Sequence, residues 1–129
     1  VNQSELRTPL QRALGLGSAK EGVAHWWHQR VSAVALVPLS LWFVWVMYKA
    51  VGGDFDSTRQ LIAHPVHATL MVSYIICLFY HGRLGLQVVI EDYVHHRVAE
   101  TVLHILSKFA AFLLGAAGVI SVLRIAIGG

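Results

Sequence analysis

The stretch Ala68-Thr69-Leu70-Met71-Val72-Ser73-Tyr74-Ile75-Ile76-Cys77-Leu78-Phe79-Tyr80 carries no charge, and His81-Gly82-Arg83-Leu84-Gly85-Leu86-Gln87-Val88-Val89-Ile90-Glu91-Asp92-Tyr93 follows it without a break. An apolar run of this length reads as a membrane-spanning helix, which needs about 20 mostly apolar residues. The run sinks His81 deep in the bilayer, where a polar ring is costly unless something uses it. Asp92 and Tyr93 come at the point where the same helix leaves the hydrocarbon. At 100° per residue, position 92 returns to within about 20° of position 81, roughly 16 Å further along the axis. One helix face therefore carries an imidazole inside the membrane and a carboxylate at its boundary.

Working outward, the whole chain has the same character. Of its 129 residues, 56% are hydrophobic and 13% charged, a balance too apolar for an ordinary soluble domain of this size. Three segments are long enough to cross a bilayer: about 31–51, 66–91 and 102–127. The expectation is an all-α membrane protein with three transmembrane helices, comprising an N-terminal segment 1–30 with an interfacial helix and an anchor domain 31–129. Gly52-Gly53-Asp54 marks the first turn and His64-Pro65 the entry to the second span. Gly15, Gly17 and Ser18 favour a loop in the N-terminal segment.

Orientation follows from the cations. Arg7, Arg12, Lys20 and Arg30 lie in the N-terminal tail, and Arg83, Arg97 and Lys108 flank the second connection. The positive-inside bias puts the N-terminus and the Tyr93 end on the cytoplasmic, or matrix-equivalent, side. The net charge of +3 reflects this sorting and makes no case for nucleic-acid binding. No apolar core of the length a cleavable signal requires precedes Val31, and no transit peptide is visible. A bacterial plasma membrane is expected ahead of a mitochondrial inner membrane. Cys77 is the single cysteine, which excludes an intrachain disulfide and a covalently attached c-type haem.

The polar residues have two readings each. His81 is either a histidine hydrogen-bonded to a neighbouring helix or an axial ligand of haem iron, for which neutral imidazole is well suited. Gly82 and Gly85 open space for a flat macrocycle or for a closely packed helix alike. No second histidine sits at the same depth, so a bis-histidine haem would need its other ligand from another chain. Arg30 is a positive-inside anchor or the partner of a haem propionate. Tyr93 is a snorkelling phenol or a hydrogen-bond donor to a quinone carbonyl, and Asp92 is a helix end or a residue that holds an arginine or relays protons. His25 and His28, three residues apart without an acidic or thiolate companion, read as interfacial histidines rather than metal ligands. His95 and His96 read as solvated loop residues.

The pattern His81-x(3)-Gly85 followed by Asp92-Tyr93 resembles the small membrane-anchor subunits of succinate dehydrogenase, respiratory complex II, also called the D or cytochrome b small subunits. His25-Trp26-Trp27-His28-Gln29-Arg30-Val31-Ser32-Ala33-Val34 is similar to the family's first-helix stretch, and the likeness runs from Val23 to about Val94. The resemblance implies that His81 is one axial ligand of a haem b shared with a large cytochrome b anchor subunit, and that Arg30 lies near its propionates. It implies that Tyr93 hydrogen-bonds ubiquinone, with Asp92 supporting that site. The partners it implies are the large anchor, the iron–sulfur subunit, the flavoprotein subunit and membrane lipid. Arg83 stands where the family commonly has an aromatic or apolar residue, and Glu91 where threonine is frequent. Lacking any flavin or iron–sulfur motif, the chain would not oxidise succinate by itself. A fumarate reductase anchor and a haem-free transport or structural protein are the alternatives.

Overall fold

A computed structural model describes residues 8–13 and 20–128. The glycines and serine at 15, 17 and 18, and the tail cation at position 7, lie outside the described residues. Five helices and no strands are present among those described: α1 (Pro9–Ala13), α2 (Lys20–Gly52), α3 (Phe55–Ala63), α4 (Pro65–Tyr93) and α5 (Arg97–Ile127). The helices α2, α4 and α5 are each long and apolar enough to cross a membrane, as the composition implied. Their limits differ from expectation at two ends. α2 begins at Lys20 rather than near Val31, and α5 at Arg97 rather than near Val102. The added turns are polar, so the apolar run marks the part of each helix inside the hydrocarbon and not the helix itself.

The connections explain the topology. Between α4 and α5 only Val94, His95 and His96 intervene, which forces the two helices to pack as antiparallel neighbours. The first connection is not a simple turn, because α3 occupies it and packs on α2, α4 and α5. Asp54 caps α3, its Oδ1 accepting the Ser57 backbone N–H at 2.9 Å. The Ser57 hydroxyl is the largest cause holding the Asp54 carboxyl below its usual range, followed by that backbone N–H. Gly53 must lack a side chain, since a Cβ there would lie 2.7 Å from Ser57 Oγ and 3.2 Å from the Lys49 carbonyl oxygen. His64 ends α3 and starts α4, with Nδ1 accepting from the Val66 N–H at 3.3 Å and Pro65 in the first helical turn. His96 caps α5 in the same way through the Ala99 N–H at 3.4 Å, and so serves the helix rather than only the solvent.

Packing among the three long helices is thin. Val46, Ala68, Met71 and Val122 form the one buried cluster, with Trp42, Phe43, Ile75 and Ala126 against it. Near that end His67 stacks on Trp42 and Trp45, and its Nδ1 accepts the Trp42 indole N–H at 3.2 Å. Lipid tails are as apolar as leucine, so helices in a bilayer associate through close contact rather than apolar burial. Gly115 and Gly118 provide that contact, lying against Phe79 and Ile75 of α4. Most large apolar side chains face outward, among them Val34, Leu41, Phe112 and Ile120, and need lipid or other chains to cover them.

Candidate functional site

The polar site forms where α2 crosses α4. Ser32 is buried at 6% exposure, although a hydroxyl in a membrane span must find partners. Its Oγ donates to the His28 carbonyl oxygen at 2.7 Å, with the Gln29 carbonyl oxygen at 3.0 Å. The same oxygen lies 2.9 Å from His81 Nδ1 on the facing helix. A hydroxyl has one proton, and where Ser32 gives it to its own helix it accepts from His81, whose neutral ring then carries its proton on Nδ1. The lone pair is then on Nε2, the nitrogen a metal would take.

His81 lines a groove of about 630 Å³ between the two helices, bordered by His25, Trp26, Gln29, Arg30 and Gly85. Among the described residues the hydrogen-bond partner of Nε2 is Gln29 Nε2 at 3.4 Å, a long contact. Gln29 Oε1 and His25 Nε2 are buried in the same groove with no hydrogen-bond partner. A Cβ at Gly85 would come within 3.6 Å of Gln29 Nε2, so the missing side chain keeps this wall open. Three polar atoms with weak partners or none around one apolar groove are unusual, because buried polar groups are nearly always paired. The donor set suits an iron porphyrin at one edge: an imidazole with a free lone pair, a cation at the rim and an unpaired ring nitrogen beside it. No group of three or more histidine, cysteine or acidic residues suited to a bare metal ion is present among the described residues.

Arg30 does not open α2, as the apolar pattern suggested, but sits in its second quarter, stacked over Trp26 with its guanidinium carbon 5.2 Å from the ring centroid. It is exposed and lines the groove that His81 faces. Arg30 and His81 thus border the same groove. His25 joins them, about 10 Å along the axis from Ser32, while His28 turns away to meet the Tyr80 ring at 6.2 Å.

Tyr93 and Asp92 are elsewhere. Tyr93, the last residue of α4, is 78% exposed and borders a second apolar groove of about 410 Å³ between α4 and α5, with Leu103, Leu106 and Ser107. Asp92 is exposed and enters no hydrogen bond or ion pair among the described residues. Nearby, Glu91 accepts from Gln87 at 2.9 Å, and His104 Nε2 lies 3.9 Å from Glu91 and 3.8 Å from Glu100. Ser32 and Gln29 are the residues that sequence reasoning left without a role. The one available signal was a hydroxyl and an amide on the Arg30 side of an otherwise apolar span.

These features define a three-span integral membrane protein with an open, histidine-centred polar groove on one flank. Residues 4–124 match the model of a family described as the succinate dehydrogenase/fumarate reductase transmembrane subunit. The chain belongs to that family. It is 31% identical over 118 residues to the succinate dehydrogenase hydrophobic membrane anchor subunit of Rickettsia bellii, covering 92% of this chain and 94% of the relative. It is 36% identical over 86 residues to the subunit of that name from Paracoccus denitrificans, 67% of each chain. A succinate dehydrogenase membrane anchor subunit from Reclinomonas americana is 33% identical over 79 residues, 59% of this chain and 66% of the relative. No solved structure matches the chain. The chain is therefore a membrane anchor subunit of a succinate dehydrogenase type of oxidoreductase, and its bacterial relatives and three spans agree with the bacterial inner membrane expected from the sequence.

Proposed function

We propose that this anchor tethers the flavoprotein and iron–sulfur subunits of a succinate:quinone oxidoreductase, supplies one axial ligand of haem b through His81, and contributes Tyr93 to the ubiquinone-reduction site. The observation that carries the haem reading is the hydrogen bond between Ser32 and His81. With Ser32 accepting from Nδ1, the Nε2 lone pair is available at a groove where Gln29 Oε1 and His25 Nε2 are buried without a hydrogen-bond partner. When bound, haem b supplies a one-electron redox centre beside the path from succinate to quinone. The chain's own residues hold it: His81 as ligand, Arg30 as the cation for a propionate, and the His25 ring nitrogen as a further donor to it.

The groove between α2 and α4 is open on one side. That open side supports a large cytochrome b anchor subunit as the chain that covers it and supplies the other ligand. Tyr93 supports the quinone reading in a different way. Its phenol stands at the helix end over an apolar groove, an arrangement suited to a molecule with a polar carbonyl head and an apolar ring and tail. Asp92, exposed and without a partner among the described residues, would hold an arginine of the large anchor.

The test is to purify the complex through this chain and record its reduced-minus-oxidised spectrum. Soluble redox subunits and a b-type haem should accompany the wild-type chain, and His81→Ala should abolish or strongly reduce the haem signal while leaving the flavoprotein attached. A full haem signal in the variant would overturn the ligand assignment.

A further inference from the structure

Two cations on the side of the molecule away from His81 have no counterion among the described residues. Arg83 is 200° round α4 from His81 and continues a stripe formed by Ile76, Phe79 and Tyr80. It lines a groove of about 440 Å³ between α4 and α5, with apolar walls that include Phe79, Phe112, Val119 and Ile120 and with Lys108 as the second cation. The Nε of Arg83 is buried without a hydrogen-bond partner. Lys108 is exposed and makes no ion pair among the described residues. Of the described acidic residues at this end, Glu91 and Glu100 face His104 and Asp92 is exposed.

Depth explains why this matters. Arg83 lies about 15 Å from the Tyr93 end of α4, and Lys108 about 17 Å from the start of α5. Helices of 29 and 31 residues overhang a hydrocarbon core of about 30 Å by several ångströms on each side. Both backbones are therefore inside the hydrocarbon boundary, and both side chains reach only to the level of the headgroups. Two like charges lining one groove at that level favour an anion there. The Arg fork is suited to phosphate oxygens, and Lys adds a point charge. From Lys108 to Ile120 the groove runs about 18 Å along α5, comparable to one leaflet's share of the core, about 15 Å.

We propose that the groove between α4 and α5 is a binding site for an anionic phospholipid, its phosphate held by Arg83 and Lys108 and one acyl chain lying along Phe79, Phe112 and Ile120. A free phosphate would satisfy the cations but not the apolar walls. A zwitterionic lipid would satisfy the walls but bring its own cation.

The test uses the whole complex, delipidated in detergent and titrated with phosphatidylglycerol, phosphatidylcholine or inorganic phosphate, with bound lipid counted by native mass spectrometry. The wild type should retain one phosphatidylglycerol in preference to phosphatidylcholine and ignore phosphate. Arg83→Gln combined with Lys108→Gln should weaken that retention roughly thirtyfold, from about 1 kcal/mol for each cation near a charged surface. Arg83→Lys should keep most of it. Equal retention of the two lipids by the wild type would overturn the proposal, and that measurement holds even if the double variant fails to assemble. Loss of another subunit from the double variant with lipid retention intact would also overturn it, by showing that the cations serve a protein carboxylate.

Discussion

Ser32 Oγ and His81 Nδ1 are 2.9 Å apart, across the crossing of α2 and α4 and 49 positions apart in the chain. With Ser32 as the acceptor, the contact holds the imidazole proton on Nδ1 and leaves Nε2 as the nitrogen that can bind iron. Residues that orient a ligand in this way are typically worth 10- to 100-fold in affinity. Ser32→Ala is expected to lower haem retention by roughly that factor and to shift the midpoint potential of the haem that remains. Ser32→Thr should restore both, because a threonine hydroxyl can also bond the carbonyl four residues back. Spectra and a redox titration of the purified complex read both effects. If Ser32→Ala leaves them at the wild-type values, the tautomer argument fails even should His81 prove to be a ligand.

Tyr93 has to do something different from His81, because the two open on different grooves. Tyr93→Phe removes one hydroxyl from an exposed site and leaves the fold alone, so stability should change by less than about 0.5 kcal/mol. Losing a hydrogen bond to a reacting carbonyl should lower ubiquinone reduction by about tenfold or more. Succinate oxidation with an artificial acceptor should persist, and the haem spectrum should not move. Loss of all three together would place Tyr93 in assembly rather than in the quinone site.

How much of this was legible beforehand follows from the range of each interaction. The spans were readable because apolar length alone specifies them, and His81 stood out because a polar ring in hydrocarbon needs a reason. The start of α2 was not, since Lys20 to Arg30 is polar and nothing local distinguishes a helix above the membrane from a loop. α3 was hidden for a similar reason: Phe55–Ala63 is short, mixed in polarity and held by its cap and its neighbours. The capping roles of His64 and His96 depend on ring orientation, which composition does not encode. Ser32 and Gln29 acquire meaning only when α4 is laid beside α2. Tertiary contact, not propensity, makes them part of a site.

The cap at Asp54 gives a pH dependence with a definite sign. The carboxyl is held below its usual range, first by the Ser57 hydroxyl and then by the Ser57 backbone N–H. A group whose folded pKa is depressed contributes stability above its unfolded pKa and loses it as pH falls through the folded one. α3 should therefore keep its first turn through neutral pH and into mild acid, and fray only below the ordinary carboxylate range. Carbon-detected NMR of Asp54 in detergent should give a midpoint lower than that of a free aspartate, and Ser57→Ala should move it back up. A midpoint at or above the ordinary value would mean that the cap does not form.

The approach of α5 to α4 can be tested by glycine substitution, since the two glycines at the contact are not equivalent. A Cβ at Gly115 would sit 3.6 Å from the Phe79 ring, an ordinary contact, whereas at Gly118 it would sit 3.3 Å from both Cδ1 and Cγ2 of Ile75. Gly115→Ala should be close to neutral. Gly118→Ala requires Ile75 to yield by a few tenths of an ångström and should cost less than about 1 kcal/mol, while Gly118→Leu overpacks the crossing and should cost about 1–3 kcal/mol. Because packing rather than apolar burial holds membrane helices together, the larger variant should also separate α5 from α4. Denaturation in mixed micelles would measure the order, with crosslinking between introduced cysteines on α4 and α5 reporting separation. Equal stability for Gly115→Ala and Gly118→Leu would show that the helices do not approach this closely.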